Sequence, residues 1–285
     1  TYYRVFADGA AEWTGTLVFK RDDFADGASL NAGKLIRDVN ADVLCLCEVE
    51  NRLVMDKFNT DRLARLYPYN MLIDGKTDRR GIDVAVYSRF PIENVRSNIF
   101  LRDPENTRRH IFSRDCLEVA VRMPNGEELH LLINHFKSKW AQNAAARQRG
   151  DDRRKGQARA VAKILSDRYD LQRENIVVCG DLNDEPDSDP LSPLNTLDCL
   201  SDFLELQFQQ QAEHRWTYKY KSKLQQIDYI LASDPLRRKL QEAGVSRMAM
   251  PPDATQAAGI EGYSSVTIWR DAGSDHGLVW ATFAI

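Results

Sequence analysis

The chain has 285 residues, 43% of them hydrophobic and 28% charged, enough to bury a large core, which excludes a small disulfide scaffold and a disordered tail. No stretch approaches the roughly 20 apolar residues that a membrane-spanning helix needs, so an integral membrane protein is excluded as well. Lys and Arg number 39 against 42 Asp and Glu, for a formal net charge of −3; bulk charge therefore advertises no polyanion, and any site for one must be a local patch.

Along the chain, Ala32, Leu35, Ile36 and Val39 fall at i, i+3, i+4 and i+7 and predict a helix with one buried face. Asp42 to Glu48 is an apolar run ending in a carboxylate, which predicts a strand covered on both faces that delivers Glu48 at its carboxyl end. A helix is expected over Met55 to Leu66 and a strand over Ile82 to Tyr87. Leu117, Val119 and Val121 alternate with other residues up to the turn signal Pro124-Asn125-Gly126, after which Leu129 to Ile133 should return antiparallel. Gln142 to Lys155 is polar and Arg-rich and reads as a loop, either solvated or facing substrate. Helical spacing returns with Ala158, Val161, Ala162 and Leu165, predicting a helix over Gln157 to Arg168.

Further strands are expected at Ile176 to Gly180, Ile227 to Leu231, Val266 to Trp269 and Leu278 to Phe283, with a helical stretch over Pro235 to Met250 that stops before Pro251-Pro252. Ala249 to Tyr263 offers itself as a lid. No repeat or linker divides the chain, so a single domain over residues 1–285 is expected, of α/β class, with two packed sheets and helices outside them. Of the five Cys, Cys45, Cys47 and Cys179 sit in strand-like apolar runs, and no second Cys/His pair stands at zinc spacing. They read as free thiols packed in the interior.

Polar residues interrupt these apolar strands in five places. Glu48 ends one, Asn134-His135 ends another and Asp181-Leu182-Asn183 a third; Asp228 sits within Ile227-Asp228-Tyr229-Ile230, and Asp275-His276 precedes the last strand. Charged groups at strand ends are costly unless they are paired or hold a metal. Asp181-Leu182-Asn183-Asp184-Glu185-Pro186-Asp187 evokes a calcium loop, but Pro186 stands where Gly is needed and Ser192 where a bidentate Glu is needed. The alternative is an i, i+2 pair on extended backbone, which turns Asp181 and Asn183 to the same side.

The motifs Asp42 to Asn51, Arg80-Gly81-Ile82-Asp83-Val84-Ala85, Asn134-His135, Gly180 to Asp184, Trp216-Thr217-Tyr218 with Gln226 to Ile230, and Ser274-Asp275-His276 together resemble the endonuclease/exonuclease/phosphatase superfamily of DNase I-like fold, in that family's order. The resemblance implies a four-layer α/β sandwich, two mixed sheets flanked by helices, and hydrolysis of phosphate esters with a divalent metal, usually Mg2+, with Mn2+ or Ca2+ as alternatives. It implies Glu48 as a metal ligand with Asp275 helping, and His135 against the scissile phosphate. It implies Asp181 as the residue that orients or deprotonates water, Asn183 as holder of a phosphate oxygen, and Asp228 fixing the imidazole of His276. Both Asp181 and His276 are candidate bases. One or two carboxylates with retained waters suit magnesium, and a cation answers the phosphodiester charge that repels an attacking hydroxide.

One departure stands out. The family begins with a strand carrying an Asn near the metal, and Thr1 to Lys20 contains no apolar strand ending in Asn. The first strand is expected to be missing or truncated in this chain, leaving a sheet edge open. Basic residues gather at Arg79-Arg80, Arg108-Arg109-His110, Arg114, Lys137, Lys139 and Arg147 to Lys155. They are either solvated charges balanced by Asp151 and Asp152 or a track for a polyanionic backbone, with Trp140 or Trp216 available for base stacking. Asn134 to Lys139 with the Arg-rich segment after it is also similar to bacterial extracellular nucleases of the superfamily, which leans toward an exported bacterial protein although the chain shows no signal peptide. The expected function is nuclease action on DNA or RNA with little sequence preference, by a monomer without stable membrane association. A lipid, inositol phosphate or sphingomyelin phosphohydrolase and a noncatalytic phosphate-binding domain are the alternatives.

Overall fold

Alternation along the strands sorts the apolar residues into layers. The computed structural model describes residues 25–75, 81–104 and 106–284, together with the backbone of Arg4–Val5 and Ala11–Glu12. Its first half contains α1 (Ala25–Val39), β1 (Val43–Val49), α2 (Arg52–Asp61), β2 (Tyr69–Leu72) and β3 (Asp83–Ser88). There follow β4 (Ile92–Arg96), β5 (Cys116–Arg122), β6 (Glu128–His135), α3 (Ala144–Arg168) and β7 (Asn175–Asp181). The last principal strands are β8 (Leu200–Asp202), β9 (Asp228–Ser233), β10 (Leu240–Ser246) and β11 (Leu278–Phe283).

The main sheet has the order β8-β9-β7-β6-β5-β4. Its neighbours are antiparallel except β6 and β7, which run parallel and are joined by α3 as a crossover. Across from it lie the antiparallel triplet β1-β3-β2 and the antiparallel pair β10-β11. Leu131, Ile133, Val177 and Cys179 point from the main sheet into the space between the sheets, where they meet Val84 and Val86 of β3. Leu132, Ile176 and Val178 point the other way, onto Ala158, Val161, Ile164 and Leu165 of α3. Ala85 and Tyr87 meet Ile36 of α1 and Met55 of α2 on the opposite outer face. Helix, sheet, sheet and helix thus form the four-layer α/β sandwich that the resemblance implies. Each fully buried Leu, Ile or Val side chain stabilises by about 1.5–3 kcal/mol, so these three interfaces hold the layers. All five cysteines are free thiols; Cys116 and Cys179 are buried and the rest half-buried.

Five local expectations are corrected. The Arg-rich segment is not a loop: α3 begins at Ala144, capped by the Asn143 side chain, which accepts from the Ala146 N–H at 2.9 Å. The helix over Met55 to Leu66 ends at Asp61, with Ala64 and Arg65 in the left-handed region at φ 50° and 59°. Pro235 to Met250 holds only a short helix, Asp234–Lys239, before β10. A bulge between Leu240 and Glu242 lets Leu240 and Ala243 face the same core, so their i, i+3 spacing imitates a helix. Val266 to Trp269 is not a strand, because the Asp271 carboxylate accepts from the N–H groups of Thr267 and Ile268 at 3.0 and 3.1 Å and folds the segment into a turn. Nor is Ala249 to Tyr263 an exposed lid: Ala249, Met250 and Ala254 are buried.

Among the described residues, β1 pairs on one side only, with β3, and β11 on one side only, with β10. Residues of both strands line one cavity of 1570 Å³, which continues to Glu48 and His276. The expected loss of the first strand falls on residues 1–24, where the described residues are limited to Arg4–Val5 and Ala11–Glu12.

Candidate active site

Three neighbouring strands of the main sheet bring three ionisable residues into a row. Strand register sets His135 of β6 opposite Asp181 of β7, and Asp181 opposite Asp228 of β9, at the strand spacing of about 4.8 Å. The approach of β6 to β7 depends on Gly180. Its φ is 116°, and a Cβ there would lie 2.0 Å from the Asn134 carbonyl oxygen, so no side chain fits.

His276 enters from the turn before β11. Its backbone bridges Tyr218, the Gly277 N–H donates to Thr217 O at 2.6 Å, and the Thr217 hydroxyl oxygen accepts from the N–H groups of Ile227 and Asp228, both at 3.1 Å. Thr217 thereby ties the His276 segment to β9. The result is a 2.8 Å contact between His276 Nδ1 and Asp228 Oδ2, with the Tyr218 ring centroid 4.7 Å from that of the imidazole. Burial works against a charged imidazolium, but the Asp228 carboxylate, through its charge and its hydrogen bond, outweighs it. Asp181 and Asp275 add to this, and His276 is raised to about 10.

Asp181 is buried. Burial first, and the Asp228 carboxylate next, push it up to about 8, against the opposing effects of His276 and the Asn183 N–H. Asn183 does not continue an extended strand as expected. It sits at φ 56°, and its backbone N–H and side-chain amide both donate to the Asp181 carboxylate at 2.8 Å, the amide also reaching Phe136 O at 3.2 Å. Both amide hydrogens are directed at acceptors, so Asn183 orients Asp181, and one of them would have to be released before the amide could meet a phosphate oxygen.

Glu48 occupies a bulge in β1 at φ 60°, a strained conformation for a residue other than glycine. Its side chain is 56% exposed, and His135 Nε2 lies between Glu48 Oε1 at 3.9 Å and Asp181 Oδ2 at 3.4 Å. Asp275 lines the same cavity. Among the described residues, Asp181, Asp228 and His276 offer ligand atoms within 4.8 Å of one another, whereas the resemblance points to Glu48 and Asp275. The donors fit a hard divalent cation: carboxylate oxygens dominate, and the Asp181 carboxyl, raised by burial first and by the Asp228 charge next, stands where a cation would offset both.

The loop beyond Asp181 is held from below. Arg154, 2% exposed, donates to Asp184 Oδ2 at 2.8 Å and Lys137 O at 2.9 Å and pairs with Asp151, while Lys139 Nζ lies 2.8 Å from Asp184 Oδ1. Burial raises Asp184, but Lys139 and then Arg154 outweigh it, leaving the carboxyl below its usual range. Arg114 is buried too and donates to Phe136 O at 3.1 Å. These two arginines, grouped by sequence with a solvated basic surface, are parts of the interior. Arg79-Arg80 lies outside the described residues. Trp216 is buried with the Arg247 guanidinium 4.2 Å from its ring centroid, which removes it as a stacking platform, whereas Trp140 is 72% exposed. The sequence assigned no individual role to Thr217, Tyr218 or Asp184, although Thr217-Tyr218 and Gly180 to Asp184 belong to the motifs, and it placed Arg154 only within the basic run Arg147 to Lys155.

The family described as Endonuclease/Exonuclease/phosphatase matches residues 6–247. A comparison with curated proteins finds no match. Solved structures similar in fold include a beta toxin from Staphylococcus aureus, at 18% identity over 90% of this chain and 92% of that one, with a TM-score of 0.61. TDP2 of D. rerio complexed with single strand DNA product is 14% identical over 91% and 92% of the two chains, with a TM-score of 0.62. An AP endonuclease from Archaeoglobus fulgidus is 16% identical over 89% and 93%, with a TM-score of 0.59.

Proposed function

The chain belongs to the endonuclease/exonuclease/phosphatase family, whose members are divalent-metal-dependent phosphoric ester hydrolases, and on that premise we propose that it is a nuclease that hydrolyses the phosphodiester backbone of DNA or RNA with little sequence preference. The observation that carries the reading is the row His135, Asp181 and Asp228, completed by the His276 contact at 2.8 Å, at the floor of a cavity whose wall also bears Arg147, Lys221 and Lys223. Cations placed there suit a polyanionic chain running past the site. Two of the fold neighbours are described as an AP endonuclease and as TDP2 with single strand DNA product, which is in keeping with a nucleic-acid substrate.

In this reading Glu48, with help from Asp275, would hold Mg2+, and the ion when bound would supply positive charge to offset that of the phosphate. Asp181, oriented by Asn183, takes the proton from the attacking water. His276, kept cationic by Asp228, presents its Nε2 hydrogen to a phosphate oxygen as charge builds there. His135 approaches the same phosphate from β6.

The test is Mg2+- and Mn2+-dependent nicking of supercoiled plasmid, with EDTA and Asp181→Ala as controls. Metal-dependent nicking that the variant loses supports the proposal. Intact plasmid with turnover of sphingomyelin or inositol phosphates overturns it in favour of those substrates, and inactivity on all of them favours a binding role.

A further inference from the structure

The hairpin after Thr217 presents its two faces to different surroundings. Its strands Tyr218–Tyr220 and Lys223–Gln225 pair in the register Tyr218 with Gln225, Lys219 with Leu224 and Tyr220 with Lys223. Tyr218, Tyr220, Lys223 and Gln225 therefore share one face, and all four line the cavity that contains Asp181 and His276. On the other face, Lys219 pairs with Asp253 at 2.5 Å. Since Tyr218 packs against His276, Tyr220 stands one two-residue step, about 6.6 Å, further along that face. It is 52% exposed, with the Lys221 ammonium 5.4 Å from its ring centroid.

The cavity lining also includes Trp140, its most exposed aromatic ring. The hairpin and the segment bearing Trp140 meet at one carboxylate, since Glu185 Oε2 accepts from Gln225 Nε2 at 2.8 Å and lies 3.5 Å from Lys139 Nζ, the residue before Trp140. Two exposed rings thus line the same cavity as the reacting centre, accompanied by Lys223 and Arg147. Duplex phosphates would use the cations and leave the rings idle, because paired bases already stack on each other. Unpaired bases supply the π-faces that exposed aromatics take, and aromatic platforms beside cations are how single strands are held.

We infer that Trp140 and Tyr220 stack on unpaired bases flanking the scissile phosphate, with Lys223 and Arg147 on neighbouring phosphates, so that the site selects single-stranded over duplex nucleic acid. The inference rests on the nuclease reading and names its substrate class. It is tested by measuring kcat and KM with Mg2+ on a single-stranded oligonucleotide, on the duplex of the same sequence, and on bis(4-nitrophenyl) phosphate, a small diester with no bases. Wild type, Trp140→Ala, Tyr220→Ala and Tyr220→Phe are compared.

The expected result is a higher kcat/KM for the single strand than for the duplex. In each Ala variant the ratio of single-strand to small-diester kcat/KM falls about tenfold, through KM, while Tyr220→Phe, which keeps the ring, retains the wild-type ratio. Duplex cut as well as single strand, or unchanged ratios in both Ala variants, overturns the inference and leaves the nuclease reading standing. Activity on the small diester or on sphingomyelin vesicles, with none on either oligonucleotide, overturns both.

Discussion

His276 Nδ1 lies 2.8 Å from Asp228 Oδ2, and Asp228 pairs in register with Asp181, so the imidazole faces two carboxylates of adjacent strands. Proton affinity is thereby divided in an uncommon way: the histidine is raised to about 10 and the central aspartate to about 8. A histidine that keeps its proton through neutral pH is suited to stabilising phosphate charge, and the buried aspartate would become the proton acceptor once a bound cation lowers its affinity for the proton.

Asp228→Asn tests that division. The folded-state value of His276 exceeds its ordinary 6.5. The stability this contributes is therefore complete below about pH 6.5 and is lost as pH rises through about 10. Without the carboxylate, the alkaline limb of the pH–rate profile should move from near 10 toward neutrality, and turnover should fall on the order of 10²-fold or more. A profile with both limbs in place rejects the dyad.

Asp181 carries the same sign, because it too is raised. A carboxyl whose folded value is raised from 3.8 to about 8 stabilises the fold below about pH 4, and that contribution is lost as pH climbs to 8. In EDTA at pH 8.5, Asp181→Asn should melt a few degrees above wild type. Added Mg2+ should raise the wild-type Tm more than the variant's, because binding to the folded state is what stabilises it. Thermal melts in the four conditions decide it, and equal shifts in both proteins would remove Asp181 from the cation's surroundings.

The strand ends were legible from sequence because an apolar run that stops at Glu48, His135 or Asp181 has no packing reason to do so, and all three line the one cavity. The first half of α3 was not, because its inward residues, Arg154 and Gln157, are polar; periodicity searches for apolar residues and passes over a helix that buries an ion pair with Asp184. Asn183 defeated the reading for a different reason. Alternation assumes extended backbone, and a left-handed residue directly after β7 turns the amide onto Asp181 instead. The rim of the cavity escaped because the Tyr218 to Gln225 hairpin has a Lys221-Ser222 turn without the glycine that usually signals one.

Gly180→Ala should be severe. The new methyl meets the Asn134 carbonyl, and the φ of 116° adds backbone strain, so a loss of about 3 kcal/mol or more is expected in urea unfolding. Any folded fraction should have lost activity, because the same clash pushes His135 away from Asp181. Near-normal stability would mean that β6 and β7 approach less closely than their register implies.

Arg154→Met removes one side of a buried pair and leaves Asp184 with Lys139 alone. The cost is about 3–5 kcal/mol. Combining it with Asp184→Asn should cost clearly less than the sum of the two single changes, since the double variant buries no charge at either position. Strict additivity in urea melts would show that Arg154 acts through Lys137 and Asp151 instead.

Among the described residues, β1 and β11 each lack a strand partner on one side, and this makes the last prediction. Interior apolar strands normally have both sides bonded, yet Cys45, Leu46 and Cys47 in β1, like Leu278 to Ala281 in β11, are only half-buried beside the cavity. β3 differs, being flanked by β1 and β2 with every residue buried. In native-state hydrogen exchange, the β3 amides should exchange only through global unfolding. The outward amides of β1 and β11 should exchange by local opening, on the order of 10³-fold faster. Rates on β1 and β11 as slow as those on β3 would mean that an extended segment fills the groove in solution, since an unpaired edge has no other way to protect its N–H groups.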